Sequence, residues 1–253
     1  MKRGHIALLG AAGAFTIASI AVMVALAPAS VVVPPSLSTD AAAPAFATQA
    51  LPPPEAAALA GPGLIDRVDP QWAADTAAAT RIPREALLAY AGAALGAVEN
   101  FPECTIGWNT LAGIGKVESD HGRHGGGVVG PSGHIEPLIF GVPLTGGDVE
   151  NIPDTDGGEF DGTAEFDRAI GPMQIIPQTW RSWPADGNGD GVPDPHNIYD
   201  AAIAAANYLC HAESDWVSPD GWRAGVAAYN THPEYAAAVA SAAQDYADAV
   251  AGP

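Results

Sequence analysis

Prolines divide this chain of 253 residues into a segment that cannot build a core and a longer part that can. Residues 28–62 hold 8 of the 23 prolines and only two charged residues, Asp40 and Glu55. A segment of this composition is extended and semi-rigid and does not fold as a domain. We therefore predict a Pro/Ala-rich disordered linker over residues 31–63 and one globular domain over residues 64–253.

The first 30 residues predict export. Lys2 and Arg3 precede an uncharged apolar stretch from Ile6 to Ala29. This order is typical of a secretory signal peptide, and the stretch is also long enough to cross a bilayer. Residues 1–30 are therefore expected to be a signal peptide or a membrane anchor through residues 6–29, and the remainder is expected to be exported.

Cysteine count and charge limit the chemistry of the exported part. Cys104 and Cys210 are the only cysteines, so one disulfide is possible, and the alternative is two buried free thiols. The formal net charge of −19 repels nucleic acid and anionic membranes. Such a surface suits an uncharged or cationic partner or a divalent metal, although it would also serve solubility alone.

Helical patterns dominate the globular part. After Pro83, the residues Leu87, Ala91, Ala94 and Val98 form a stripe with helical spacing. Further helices are expected over 108–119 with Asn109 as N-cap, over 198–214, over 222–230 and over 235–250. Residues 122–168 are rich in Gly, Asp and Pro and are expected to form long loops, such as the wall of a cleft. The predicted fold class is mainly α with long glycine-rich loops.

One acidic residue occupies an unusual position in the predicted helix 108–119. Leu111, Ile114 and Glu118 are spaced i, i+3 and i+7, which places Glu118 on the apolar face. Desolvation at such a position raises the pKa of a carboxyl group and makes it a candidate general acid. The alternative is a structural ion pair with Arg123 or Arg168.

Two further stretches carry polar groups between breaks in regular structure. Gly171, Pro172 and Pro177 interrupt "AIGPMQIIPQTW", so Gln174 could present its amide to a ligand. The stretch "VAAYNTHPEY" places Tyr229 and Asn230 at the end of a helix. Taken singly, these stretches fit an ordinary loop and ordinary packing.

Taken together, four stretches resemble the lytic murein transglycosylases of the cell wall. They are "AGIGKVESDHGRHGG", "DRAIGPMQIIPQTW", "DGNGDGVPDPHNIYDAAIAAANYLC" and "AYN", in that order and within about residues 80–250. The resemblance is greatest to the membrane-bound lytic transglycosylase B type in its secreted actinobacterial form. It implies a lysozyme-like, goose-type fold and an extracellular location, in the wall or at the outer face of the cytoplasmic membrane.

The resemblance also implies a reaction. Enzymes of this family cleave the MurNAc–GlcNAc β-1,4 bond of peptidoglycan glycan strands and leave a 1,6-anhydroMurNAc end. The single catalytic acid and base of the family corresponds to Glu118, and its neighbour Ser119 would orient it. The other residues implied to bind sugar are Met173, Gln174, Tyr229 and Asn230. Trp180 and Trp183 follow Gln174 closely and could stack on sugar rings or belong to the core.

Residues 186–200, "DGNGDGVPDPHNIYD", begin like an EF-hand calcium loop. Asp186, Asn188 and Asp190 take positions 1, 3 and 5, and Val192 at position 7 would offer its carbonyl oxygen. Position 12 is Asn197 and not the expected Glu, so the standard loop is incomplete. The resemblance implies a variant loop closed by Asp200. The sequence thus predicts a structural Ca²⁺ and no organic cofactor, and the alternative is a solvated acidic turn.

Two other groups of residues are weaker candidates for metal binding. Residues 154–167 contain four acidic side chains without a clean ligand spacing, namely Asp154, Asp156, Asp161 and Asp167. We expect a solvated loop there, and the alternatives are that these acids bind a metal or line the cleft. A second catalytic carboxylate would lie in this loop if the enzyme were a hydrolase. His121 and His124 are surrounded by glycines, so zinc binding between them is not expected.

Two rivals to a lytic transglycosylase remain open from the sequence. One is a muramidase of the same fold that cleaves the same bond with water. The other is a non-catalytic, calcium-stabilised module that binds the cell wall. A monomer is expected in each case.

Overall fold

The computed structural model describes residues 46–147 and 149–251. Helices dominate these residues, which confirms the predicted mainly α class. The helices are α1 (Pro70–Thr80), α2 (Arg84–Asn100), α3 (Trp108–Ser119), α4 (Pro177–Ser182), α5 (Ile198–Ala212), α6 (Pro219–Tyr229) and α7 (Pro233–Val250). Four short strands lie between α3 and α4: β1 (Val128–Val129), β2 (Ile135–Glu136), β3 (Phe140–Pro143) and β4 (Arg168–Ile170).

Helices α2 and α5 form the centre of the core. Both are rich in alanine and bury most of their residues. Gly92 of α2 allows a 3-10 turn, Leu64–Arg67, to lie directly against the helix, because a Cβ at this position would be 2.9 Å from the Leu64 carbonyl oxygen. The predicted disulfide is confirmed: Cys104, just before α3, is bonded to Cys210 of α5 with the Cα atoms 5.4 Å apart.

Helices α3 and α7 pack closely and run antiparallel. The start of α3 lies beside Ala243, since the Asn109 side chain donates to the Ala243 carbonyl at 3.0 Å. Gly113 brings the middle of the helix against α7, where a Cβ would be 2.8 Å from the Val239 carbonyl oxygen. The end of α3 therefore meets the first turn of α7.

The prediction that Asn109 caps α3 is wrong. Gly107 is the N-cap residue, and Asn109 lies inside the first turn with its side chain fully buried. Its amide nitrogen donates to the Thr48 carbonyl at 2.8 Å, and its amide oxygen accepts from the Ala50 N–H at 2.9 Å. Asn109 therefore connects α3 to the segment that precedes the predicted domain.

That segment, residues 46–54, packs against the helices. Ala47 is buried, and the Gln49 amide oxygen accepts from Thr110 Oγ1 at 3.1 Å. The Leu51 carbonyl accepts from the Trp108 indole at 3.3 Å. The described part of the predicted linker is thus in contact with the domain, because its polar backbone groups are paired with side chains of α3. Residues 31–45 lie outside the described residues.

The long region after α3 contains two small antiparallel ribbons within the predicted loops. Strand β1 pairs with β2, with Val129 opposite Ile135. Strand β3 pairs with β4, with Phe140 opposite Ile170. Strand β4 leads directly into the turn 171–174 and so positions this turn beside the end of α3.

Some helical details differ from the predictions. The exposed fraction of Val98 is 48%, because α2 buries mainly its alanines and leaves this end of the predicted stripe in solvent. Helices α1 and α4 were not predicted, since α1 has a weak apolar stripe and α4 has only six residues. Across the part of the chain described, no helix has the length and apolarity needed to span a bilayer. The predicted signal or anchor lies outside the described residues.

Candidate active site

Glu118 lies in the last turn of α3 and is buried, with 4% of its surface exposed. No ion pair involves it among the described residues, and the alternative of pairing with an arginine does not apply: Arg123 pairs with Asp120 at 2.9 Å. Burial raises the pKa of Glu118 to about 8, and a hydrogen bond from Tyr235 opposes this rise. The predicted desolvated carboxyl group is therefore present.

Tyr235 supplies the hydrogen bond to this carboxyl group. Its hydroxyl donates to Glu118 Oε1 at 2.6 Å, and it lies in the first turn of α7. Burial raises the pKa of Tyr235 well above its ordinary value, and the negative charge of Glu118 adds to that effect. Tyr235 is therefore a hydrogen-bond donor at any working pH.

Oε2, the second oxygen of Glu118, is the one that Tyr235 does not hold. Oε2 has no hydrogen-bond partner within the described ranges. It is also not one of the two fully buried side-chain atoms without a partner, which are Glu150 Oε2 and His196 Nδ1. Oε2 is therefore the oxygen left for a proton or a ligand, while Oε1 is held by Tyr235.

The backbone after Glu118 reverses direction within three residues. Asp120, His121 and Gly122 have φ values of 52°, 60° and 82°, all in the left-handed region. Residues other than glycine rarely adopt this backbone region. The turn is held by the His121 N–H, which donates to the Gly115 carbonyl at 2.9 Å. Glu118 is consequently placed at an abrupt helix end.

Ser119 joins this helix end to the turn 171–174. Its hydroxyl donates to the Pro172 carbonyl at 2.6 Å and accepts from the Gly122 N–H at 2.8 Å. Gln174 has a φ of 48°, and its side-chain amide donates to the Gly171 carbonyl at 2.9 Å. The structure thus brings together Glu118, Ser119 and the predicted "GPMQ" stretch.

Tyr229 holds the turn 171–174 by a hydrogen bond to its backbone. Its hydroxyl donates to the Met173 carbonyl at 2.6 Å, and both side chains are buried. Asn230 is also buried, and its side-chain oxygen accepts from the His232 N–H at 2.9 Å, where α6 gives way to α7. These residues hold the backbone around the site, and their side chains present little surface to a ligand.

The two tryptophans after Gln174 differ. The exposed fraction of Trp180 is 2%, so this side chain belongs to the core and leaves no open ring face for stacking on sugar. Trp183 is partly exposed, and its ring lies 6.1 Å from Phe101 and 4.9 Å from His211 between ring centroids.

Tyr235 is a site residue that the sequence did not predict. Tyr235 begins the predicted helix 235–250, and its hydroxyl contacts Glu118 as well as packing in the core. One sequence signal could have indicated it. Tyr235 follows Asn230 by only five residues, so the short connection between α6 and α7 keeps the start of α7 near Tyr229 and the site.

The predicted calcium loop is a tight turn whose side-chain oxygens accept its own N–H groups. Asp186 accepts from the N–H groups of residues 189–191 at 2.8–3.1 Å. Asn188 Oδ1 accepts from the Asp190 N–H at 2.9 Å, and Asp190 Oδ1 accepts from the Val192 N–H at 2.8 Å. The oxygen-rich side chains therefore converge on one turn, as their spacing predicted.

Asp200 closes this turn from the first turn of α5. It is fully buried and accepts from the N–H groups of Gly187, Asn188 and Asp194 at 2.7, 3.3 and 3.0 Å. Burial raises the pKa of Asp200 to about 6, against the effect of these hydrogen bonds. Asp200 thus connects this turn to the start of α5.

Three acidic side chains outside the predicted calcium loop lie close together. Among the described His, Cys, Asp and Glu side chains, one group of three has potential ligand atoms within 4.8 Å of one another, namely Asp154, Asp156 and Asp167. Thr155 donates to both oxygens of Asp167, through its N–H at 2.8 Å and its hydroxyl at 2.6 Å. Asp161 accepts from the Arg168 N–H at 2.7 Å. These acids therefore organise their own loop through backbone contacts.

Comparison with known proteins adds one finding to this geometry. Residues 163–249 match the family model described as "Transglycosylase SLT domain". This match supports a family like the lytic transglycosylases. No curated protein and no solved structure matches the chain.

The matched range covers part of the site. It includes Gln174, Tyr229 and Tyr235, whereas Glu118 and Ser119 precede it. The hydrogen bonds from Ser119 to Pro172 and from Tyr235 to Glu118 connect the end of α3 to the matched residues.

Proposed function

We propose that this protein is a lytic transglycosylase that cleaves the MurNAc–GlcNAc β-1,4 bond of peptidoglycan, with Glu118 as its single acid and base. The observation that carries this proposal is the buried carboxyl group of Glu118, held by Tyr235 at 2.6 Å on one oxygen and, among the described residues, without a hydrogen bond on the other. The match of residues 163–249 to the SLT family supplies the substrate class.

The first step uses the protonated form of Glu118. Because burial raises the pKa of this group to about 8, it carries a proton at neutral pH. Glu118 gives that proton to the glycosidic oxygen, and the bond from this oxygen to C1 of MurNAc breaks as GlcNAc leaves. Positive charge develops on the sugar ring, and the N-acetyl group of the substrate stabilises it.

The second step uses the carboxylate that remains. Glu118 accepts the proton of the MurNAc 6-hydroxyl, whose oxygen attacks C1 and closes the 1,6-anhydro ring. The acid is thereby restored and no water is consumed. Tyr235 holds Oε1 in both states, since a hydroxyl donor stabilises the carboxylate that forms between the steps.

A single acid distinguishes this scheme from common glycosidases. Retaining enzymes place two carboxyl groups about 5–5.5 Å apart. Within the described residues, no second carboxylate contributes to the pKa of Glu118. The rival muramidase would need a second carboxylate to activate water or to act as nucleophile.

The test of the proposal is peptidoglycan solubilisation by the wild type and by Glu118→Gln. We expect release of soluble muropeptides by the wild type and none by Glu118→Gln, because the amide cannot donate a strongly acidic proton. Glu159→Gln, at an exposed glutamate, is the matched control and should release as much as the wild type. Equal release by Glu118→Gln would refute the role of Glu118, and no release by the wild type would favour a binding module.

We also propose that the turn at 186–200 holds a structural Ca²⁺. Its donors are all oxygens, which is the ligand type that Ca²⁺ prefers. The side chains of Asp186, Asn188, Asp190 and Asp200 and the carbonyl of Val192 would bind it. The carboxylate oxygens that accept N–H groups keep further lone pairs for a cation. The ion would fix the start of α5, and no catalytic step requires it.

The remaining proposals concern location and partners. We propose that the protein is exported and acts in the cell wall or at the outer membrane face, as a monomer without nucleic-acid partners. The apolar stretch at residues 6–29 and the Cys104–Cys210 disulfide support export, since disulfides form in oxidising compartments.

A further inference from the structure

His121 is a buried histidine that connects two helices just after Glu118. Its exposed fraction is 1%. Its Nδ1 lies 3.1 Å from the Tyr90 hydroxyl of α2, and its Nε2 lies 2.8 Å from the Tyr246 hydroxyl of α7. Both ring nitrogens are therefore paired with phenols, and the imidazole forms a bridge, Tyr90–His121–Tyr246.

This bridge is directional because the imidazole is neutral. Burial lowers the pKa of His121 to about 3, with Arg123 and Lys116 lowering it further and Asp120 opposing them. A neutral ring has one donor and one acceptor, so one phenol donates to it and the other accepts. On the side of α7, burial raises the pKa of Tyr246 to about 12; the charges of Asp120 and Asp245 add to this rise and Arg123 opposes it.

The backbone conformation of His121 is adapted to this bridge. Its φ of 60° turns the side chain back along α3, away from solvent. On the α2 side, the Tyr90 phenol packs on Gly115, where a Cβ would collide with it. Any other residue at 115 would displace the phenol, so Gly115 and the left-handed His121 together make room for the bridge.

The bridge gives α7 a second attachment beside its contact with Glu118. Tyr235 and Tyr246 are separated by eleven residues, which is close to three helical turns, so they share one face of α7 and are about 16 Å apart along the axis. Tyr235 contacts Glu118 and Tyr246 contacts His121. Two such contacts fix both the axial position and the rotation of α7 relative to the end of α3.

We propose that the Tyr90–His121–Tyr246 bridge is a positioning device that keeps the Tyr235 hydroxyl on Glu118. His121 acts through α7 and does not touch the substrate. The inference rests on the proposed function only for its consequence in catalysis. The positioning itself is a property of the free protein and can be measured without substrate.

The test is an NMR titration of the Glu118 side-chain carbon in the full chain, selectively labelled at glutamate. Signals are assigned with Glu118→Gln, and the wild type is compared with Tyr235→Phe, His121→Phe and the double variant. Loss of a hydrogen bond to a carboxylate raises its pKa, so we expect each single variant to move the Glu118 midpoint upward by about one pH unit.

The double variant distinguishes positioning from a general role in folding. If His121 acts through Tyr235, then His121→Phe adds no further shift once Tyr235 is phenylalanine. His121→Gln, which keeps a donor and an acceptor, should restore part of the wild-type midpoint. Tyr199→Phe is the matched control, since it removes a phenol bonded to the Pro131 carbonyl at 3.2 Å and should leave the midpoint unchanged.

Two results would overturn the proposal. Shifts that add in the double variant would show that His121 affects Glu118 by another route. An unmoved midpoint in folded His121→Phe would show that the bridge does not position Tyr235. Should His121→Phe not fold, Tyr246→Phe removes a single oxygen from the same bridge, and the same criteria apply to it. If the wild type does not cleave peptidoglycan, the proposed function is refuted, but the interpretation of these titrations is unaffected.

Discussion

Replacing Glu118 by glutamine should stabilise the protein, and the gain should depend on pH. Burial raises the pKa of Glu118 from 4.5 to about 8 in the folded protein. Below pH 4.5 the group is protonated in both states and has no effect. Between pH 4.5 and 8 the folded state holds a proton that the unfolded state releases, so stability falls as pH rises. Above pH 8 the loss reaches its full size.

The magnitude follows from the size of the pKa rise. At 1.36 kcal/mol for each pKa unit, a rise of about 3.5 corresponds to about 5 kcal/mol above pH 8 and about 3 kcal/mol at pH 7. Glutamine keeps the oxygen that accepts from Tyr235 and does not ionise. Glu118→Gln should therefore be more stable than the wild type by these amounts at pH 9 and pH 7, and equal to it at pH 4.

Urea unfolding at pH 4, 7 and 9 measures these differences directly, with the exposed Glu159→Gln as the control that should show no such trend. A gain that does not change with pH would mean that Glu118 is not held protonated by burial. A destabilised Glu118→Gln at pH 9 would refute the reasoning outright, since the carboxylate would then be stabilising.

Three further predictions follow from other contacts. Tyr235→Phe should move the alkaline limit of cleavage upward by about one pH unit, because the pKa of Glu118 rises when its donor is lost; an unchanged pH–rate profile would contradict this. Replacing Cys104 and Cys210 by alanine should lower the free energy of unfolding by about 4–5 kcal/mol, as expected for a closed loop of about 100 residues; a loss below about 1 kcal/mol in urea unfolding would argue against the bridge as a main source of stability. Chelation of Ca²⁺ should lower the melting temperature of the wild type and not of Asp200→Asn, whereas no shift in either would count against the calcium turn.

The helices were predictable where apolar spacing and buried position coincide. The face of Leu111, Ile114 and Glu118 is one such case, and burial of all three follows from the i, i+3, i+7 pattern. Val98 has the same spacing within its own stripe but is exposed, because small alanines already fill the space between α2 and its neighbours. Apolar periodicity thus predicts which face of a helix is buried, but it does not predict how much of that face the neighbouring elements cover.

The contacts that complete the site could not be predicted from spacing. Tyr235 reaches Glu118 across 117 positions of the chain, and His121 reaches Tyr246 across 125. Such pairs depend on how α7 packs on α3, which Gly113 and the buried Asn109 determine through close backbone approach. Local patterns contain no information on that approach.

The central claim is that Glu118 alone cleaves the glycan and closes the 1,6-anhydro ring. Mass spectrometry of muropeptides released from purified peptidoglycan by the wild type and by Glu118→Gln tests it most directly. We predict products with 1,6-anhydroMurNAc ends from the wild type and none from Glu118→Gln. Products with reducing-end MurNAc, heavier by one water, or undiminished 1,6-anhydro products from Glu118→Gln, would contradict the claim.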